Sequence, residues 1–279
     1  MSLGIFGNVG IFVVFSRKRL SKFSSRNAYK ALASMDTICI IYHVTDNLLN
    51  NNKINIEIIS ETYCKLFRYV SYVFSPISAW LIVYISFDKY INIRFKQTKI
   101  FKKRIFQIIL LAIIFIYHVS YYSPVLFNSI LVNKSNESSL LECSYKNDYL
   151  NQVFSLMDLI NLFLVPFSLM CLSSILLIFS IIKSRIRIIK SIRRKDKKIF
   201  LKDIKFVLST ILINIFFIIF NLPICIAWVL DIPNLTDLYN LLIFFYYLSF
   251  SINFYILLGF NSIFRNEFFI LIKLKSIIR

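Results

Sequence analysis

Only 17% of the 279 residues are charged, and glycine, proline and histidine number four, five and two. A soluble globule of this length would be far more polar. The two histidines, His43 and His118, stand apart and offer no metal-ligand spacing. Among the 14 acidic residues there is no paired-carboxylate arrangement and no nucleophile–base spacing, so the chain is read as a non-enzyme. Scarce glycine and proline leave no pair of broken helices, and no inverted repeat is visible. That disfavours a transporter carrying Asp36, Asp46 and Asp158 along a path.

What the chain does have is apolar length. Hydrophobic residues make up 58% of it, and the mean hydropathy is +0.69. Runs at 66–87, 105–132, 159–182, 206–230 and 238–260 approach or exceed the length needed to span a bilayer as a helix. A shorter run at 31–49 carries Asp36 and Asp46. The first, 3–15, gives roughly 20 Å of helix against a hydrocarbon core of about 30 Å. It is expected to be a first span truncated on its outer side. The expectation is an all-α, seven-span bundle over 1–260, with 261–279 as an amphipathic helix and short tail.

The net charge is +19. Lys and Arg cluster at 17–30, 94–104, 183–205 and 265–279, while the connections 50–63, 133–150 and 231–237 hold few. Positive charge therefore marks every second connection, as cytoplasmic loops do. This pattern follows topology and disfavours nucleic acid as the partner. It predicts a multi-pass protein of the plasma membrane, with the N-terminus outside and the C-terminus inside. "SRKRL" follows the first apolar run, the reverse of a signal peptide's order. Cys64 and Cys143 both fall on the predicted outside, where disulfides survive, and are the expected pair. The sequons at Asn133 and Asn136 fall on the same side and are candidate glycosylation sites.

Ionisable groups inside apolar spans are functional candidates by default. Asp36 lies mid-membrane, with Asn8, Ser78, Ser249 and Asn253 at comparable depth in three other spans. From depth alone the set fits equally a structural network or a site for a small cation or proton.

In order along the chain stand "GN" at 7–8, "LASMD" ending at Asp36, Cys64, and "FDKYI" at 87–91. Cys143, Pro166, "FNLP" at 220–223 and "SINFYILLGFNSIFR" at 251–265 follow. This series, over nearly the whole chain, resembles the rhodopsin-like G-protein-coupled receptors. Its overall pattern is similar to invertebrate neuropeptide receptors of the FMRFamide-like kind. The resemblance implies a receptor that senses an extracellular ligand and activates a heterotrimeric G protein. It implies a sodium pocket at Asn8, Asp36, Ser78, Ser249 and Asn253, with sodium as an allosteric ion and no other cofactor. It equates Asp88, Lys89 and Tyr90 with the family's Asp-Arg-Tyr element. It makes Asp203 the acidic partner of Lys89 in a lock on the inactive state. Ala79, Pro166 and Phe217 become the transmission trio, and Pro223 the hinge of the sixth span. Residues 262–275 resemble the amphipathic helix that lies on the inner membrane surface.

Several positions depart from the family pattern. Lys89 stands where Arg is usual, Asn221 where Trp is, Phe254 where Pro is, and Leu257 and Ser174 where Tyr is. Pro76 should bend the third span. The altered switch positions and short first span keep a non-signalling remnant as a second reading. For the ligand, Ser71 occupies the place where amine receptors carry Asp. Asp158 and Asn161 share a helix face, Asp46 lies toward the outer end of the second span, and Trp228 and Tyr247 lie in outer halves. With Asn221 these form the expected ligand-binding set, an acidic and aromatic pocket suited to an arginine-containing peptide.

Overall fold

The computed structural model describes residues 2–20, 23–51, 56–95, 104–133, 141–189, 194–229 and 236–272. The side chains of 47, 50–51, 56, 133, 184–189, 194–203, 228–229 and 236–237 lie outside that description. Apolar runs become helices where polar side chains finish their ends. Ser60 accepts from the Tyr63 amide at 3.3 Å to start α3, Glu61–Arg94. Asn147 does the same for α6, Asp148–Asp158, taking the Leu150 amide at 2.9 Å. Arg26 opens α2, Arg26–Asn51, and its guanidinium reaches back to the last carbonyls of α1, Ser2–Ser16. It donates to Phe15 O at 2.6 Å and Ser16 O at 3.1 Å.

Five stretches are long and apolar enough to cross a membrane: Glu61–Arg94, Arg104–Asn128, Asp148–Lys183, Ile204–Ala227 and Leu238–Phe260. The second contains α4, Arg104–Tyr121, and α5, Ser123–Asn128. The third joins α6 to α7, Val165–Ile189. The last two belong to α8, Arg194–Val229, and α9, Thr236–Phe260. α1 is apolar but has 15 residues, and α2 has 26 but is more polar. α3 runs unbroken through Pro76 and is central: 61% of its most apolar stretch is buried, against 17% for that of Arg104–Asn128. The exposed face of α4, with Ile105, Ile109, Ile113 and Ile116, is one a membrane covers. The chain is a multi-pass membrane protein.

The expectation of an all-helical chain needs one correction. β1, Ser129–Asn133, pairs antiparallel with β2, Leu141–Tyr145, with Leu131 opposite Cys143. The disulfide Cys64–Cys143 pins this hairpin to the first turn of α3, with a Cα–Cα distance of 5.6 Å. Arg68 adds a second fastening. It donates to Cys143 O, and its guanidinium lies 4.8 Å from the Tyr145 ring centre. Of the two sequons, Asn133 ends β1 but its side chain lies outside the description, as does Asn136 altogether.

At the opposite end Asn261 caps α10, Ser262–Leu271, by accepting from the Ile263 and Phe264 amides at 3.1 Å each. Glu267 on its buried face meets Arg17 and Arg19, each at 3.4 Å, and so ties α10 to the end of α1. The expected extension of this helix to 275 runs past the described residues.

Three of the four glycines, Gly4, Gly7 and Gly10, repeat every third residue on the face of α1 that meets α9. A Cβ on Gly7 would come within 2.8 Å of Phe254 Cβ, and one on Gly10 within 2.8 Å of Phe254 Cε2. Bare backbone there lets Phe254 nest against α1, the close approach that small residues permit in membranes. Gly7→Val is expected to cost about 1–3 kcal/mol and to lower the melting temperature of the purified protein. Gly259→Ala, where nothing lies within 4 Å of the new atom, should not lower it. Equal melting of the two variants would remove this account of the α1–α9 contact.

Candidate functional site

Beneath the hairpin end the helices enclose a cavity of about 700 Å³. Four of the residues singled out from the sequence line it: Asp46, Ser71, Asp158 and Tyr247. Tyr42, His43, Tyr72, Tyr239 and Tyr246 line it too and were not expected there. The rings pack on one another: His43 stacks on Tyr247 at 4.5 Å and meets Tyr246 edge-on at 5.6 Å. Among the described residues no lysine or arginine lines the cavity, while two carboxylates do. A third carboxyl, Glu57, lies in the connection above. Burial pushes its pKa up, the Arg68 charge opposes this, and Asp46 adds to it.

Two expected ligand residues, Asn161 and Asn221, do not line this cavity. Asn161 instead builds a polar joint. Its side-chain carbonyl accepts from Trp80 Nε1 at 3.1 Å, and its amide donates to Tyr122 Oη at 3.2 Å. Tyr122 in turn donates to Asp158 Oδ1 at 3.1 Å. The cause is a wide turn at Leu159–Leu164, where hydrogen bonds skip an extra residue and Val165 N reaches Ile160 O. Such π turns re-aim side chains, yet Asp158 and Asn161 still meet on one group, the Tyr122 hydroxyl. Asn221 turns back on its own helix and donates to Phe217 O at 2.7 Å. The Trp228 side chain lies outside the described residues.

At mid-depth Asp36 is fully buried and joins three helices. Ser78 on α3 donates to Oδ1 at 2.5 Å, and Asn253 on α9 donates to Oδ2 at 2.9 Å. No cationic side chain among the described residues forms an ion pair with it. The other two expected members are buried nearby in sequence depth but do not touch the carboxylate. Asn8 donates to Phe250 O at 3.1 Å and leaves its own Oδ1 without a hydrogen-bond partner. Ser249 donates to Tyr246 O at 2.6 Å, one turn up its own helix.

At the far end Asp88 accepts from Ser24 at 2.6 Å, and Asn92 holds the same Ser24 hydroxyl at 2.5 Å. Asp88 thus faces the connection between α1 and α2. Lys89 points elsewhere, into aromatic rings. Its Nζ lies 3.6 Å from the Phe206 ring centre, 5.8 Å from Phe23 and 5.9 Å from Tyr29. A fully ionic lock was expected with Asp203, whose side chain lies outside the described residues. A contact described between Lys89 and α8 is with Phe206, three residues on from Asp203, and it is a cation–π contact. Tyr90 lines a small groove between α3 and α7.

Between these ends sit the transmission residues. Ala79 and Phe217 belong to one continuous core, Pro166 is buried just beyond the wide turn, and α8 continues through Pro223. A further joint lies closer to Lys89. Asn214 on α8 accepts from Ser86 on α3 at 2.9 Å and donates to Ser174 on α7 at 2.9 Å. Asn214 and His43 had a signal in the sequence, since each is a polar group within an apolar stretch, the same rule that singled out Asp36. Phe206, Tyr29 and Phe23 had none, because aromatic residues are everywhere in this chain.

No curated protein matches the chain. A family model does: that of the 7 transmembrane receptor (rhodopsin family), over residues 7–256. The match takes in α1 through most of α9, including the Asp36 node, Lys89, the disulfide and the cavity.

Proposed function

We propose that this chain, which belongs to the rhodopsin family of 7 transmembrane receptors, binds a cationic secreted peptide at the plasma membrane and activates a heterotrimeric G protein. The basic connections face the cytoplasm in this reading, and the hairpin faces outside. The observation that carries the ligand class is the cavity itself. It is lined by Asp46, Asp158 and several tyrosines with no described lysine or arginine, so the charged groups of its described lining are acidic. A guanidinium can pair with a carboxylate and lie flat on a tyrosine ring at once. A neuropeptide carrying arginine offers such a group.

Transmission runs down the joints that cross from α3 to α8. Phe206 beneath Lys89 and Asn214 between Ser86 and Ser174 hold α8 against its neighbours. Ligand binding that favours an arrangement with these contacts open shifts the population toward it. The basic end, where Asp88 and Lys89 lie buried until these contacts open, is then the surface offered to the G protein, with Tyr90 beside them. Asp203 remains the proposed acidic neighbour of the Lys89 ammonium.

Asp36 with Ser78 and the unpartnered Asn8 Oδ1 is proposed to hold sodium. A buried carboxylate met only by neutral donors has its charge uncompensated, which favours a bound cation. In this structure Ser249 is turned away from that role.

Three outcomes are expected. A screen of amidated peptides against cells expressing the receptor should give arginine-containing hits. Asp158→Asn should then weaken them by about 2 kcal/mol or more, roughly thirtyfold in potency. Hits without a cation, or hits insensitive to both Asp158→Asn and Asp46→Asn, would rule out the cationic-peptide reading. Phe206→Leu should raise basal nucleotide exchange while Phe206→Trp preserves the low basal level. Unchanged basal exchange in Phe206→Leu, in a receptor that still answers agonist, would remove the aromatic restraint. Finally, replacing choline chloride by sodium chloride at equal ionic strength should raise the melting temperature of the wild type and not of Asp36→Asn. The same rise in both would place sodium elsewhere.

A further inference from the structure

At the end of the bundle opposite the disulfide, α3 and α7 leave a groove of about 140 Å³ between them. Tyr90 and Arg94 line it from α3, and Phe179, Ser180 and Lys183 from α7. Tyr90 and Ile93 of its lining pack against a small apolar cluster of Leu177, Val207 and Ile211. The two cations sit on separate helices at one mouth. Among the described residues no carboxylate lines the groove.

Depth decides what could fill it. Arg94 lies five residues beyond Lys89, about 7 Å further along the helix axis and clear of the apolar run. Lys183 is one turn beyond Phe179 on the same face of α7. Phe179 is 66% exposed, and with Ile175 and Ile182 it forms an apolar track facing the surrounding lipid. A cationic pair at headgroup depth, continuous with an apolar track at acyl depth, matches one molecule at both levels. Water-soluble anions would use the cations and leave the track bare. A neutral lipid would use the track and leave two unneutralised cations.

We infer that this groove is a binding site for an anionic phospholipid, its phosphate held between Arg94 and Lys183 and its acyl chain laid along Phe179. The site bridges α3 and α7 one turn from Lys89, so its occupant fastens two helices at the surface proposed to meet the G protein. The inference rests on the orientation read from the basic connections, which puts this groove in the leaflet that carries anionic lipid. It does not depend on ligand class or on coupling.

The test uses the full-length chain in nanodiscs of phosphatidylcholine, with fluorescent phosphatidylinositol bisphosphate titrated in and saturable energy transfer from the protein as the readout. Arg94→Gln with Lys183→Gln should weaken the saturable component by about thirtyfold, at about 1 kcal/mol per cation near the surface. Arg94→Lys with Lys183→Arg should keep it. Lys18→Gln with Lys205→Gln removes two exposed charges outside the groove lining and should leave it unchanged. Equal losses in both Gln pairs would reduce the effect to diffuse attraction and overturn the site. So would competition by soluble inositol trisphosphate at the affinity of the lipid itself, which would make it a headgroup site with no use for the track. Because no ligand or G protein is present, failure here is distinguishable from failure of the receptor reading.

Discussion

A carboxylate cannot be left in hydrocarbon, and the bundle is arranged so that Asp36 is not. Its two oxygens take one donor each from α3 and α9, so three helices meet at a point with no access to water or lipid. That node sits midway between the cavity under the hairpin and the basic end. Rearranging either half without disturbing it requires motion in helices that do not share the node. α8 is such a helix. Its described ties to α3 include a cation–π contact at Phe206 and a hydrogen bond at Asn214, and neither involves the Asp36 carboxylate.

Replacement of usual family residues makes sense in this setting. Phe254 fills the space against Gly7 and Gly10 and meets Phe264 and Phe268 of α10 at 5.8 and 5.1 Å. Phe15 stacks on Tyr29 at 4.5 Å and reaches Phe264 at 5.7 Å. This column of rings joins α1, α2, α9 and α10, and Tyr29 is also one wall around Lys89. Lysine suits that place. A compact ammonium on a flexible stem can enter a ring-lined space, where arginine's planar fork is made for paired oxygens.

Much of the architecture could be read from the chain. Apolar length marks the spans, and the two cysteines outside the apolar runs are the ones joined. The Asp36–Ser78–Asn253 contact was visible as polar groups at matching depth. Other features were hidden for identifiable reasons. The hairpin over the cavity depends on pairing between strands whose sequences are short and unremarkable. The wide turn at Leu159–Leu164 adds one residue's worth of backbone to the helical turn that holds Asn161, and no side chain announces it. Asn161 was therefore expected in the cavity and is found bonded to Trp80 and Tyr122. Ser249 was expected at Asp36, but a hydroxyl in a helix can satisfy itself on its own backbone, and depth does not say which it does.

The sequence by itself determined that the chain is built of membrane-spanning helices, where their polar groups lie in depth, and which cysteines are free to meet. These follow from composition and from one-dimensional spacing, because the cost of burying charge in lipid depends on depth alone. Only the tertiary structure decided which way each polar group turns about its helix axis. Rotation is set by packing against neighbours, and it is what sends Lys89 toward Phe206, Asp88 toward Ser24, and Asp46 and Asp158 into one cavity.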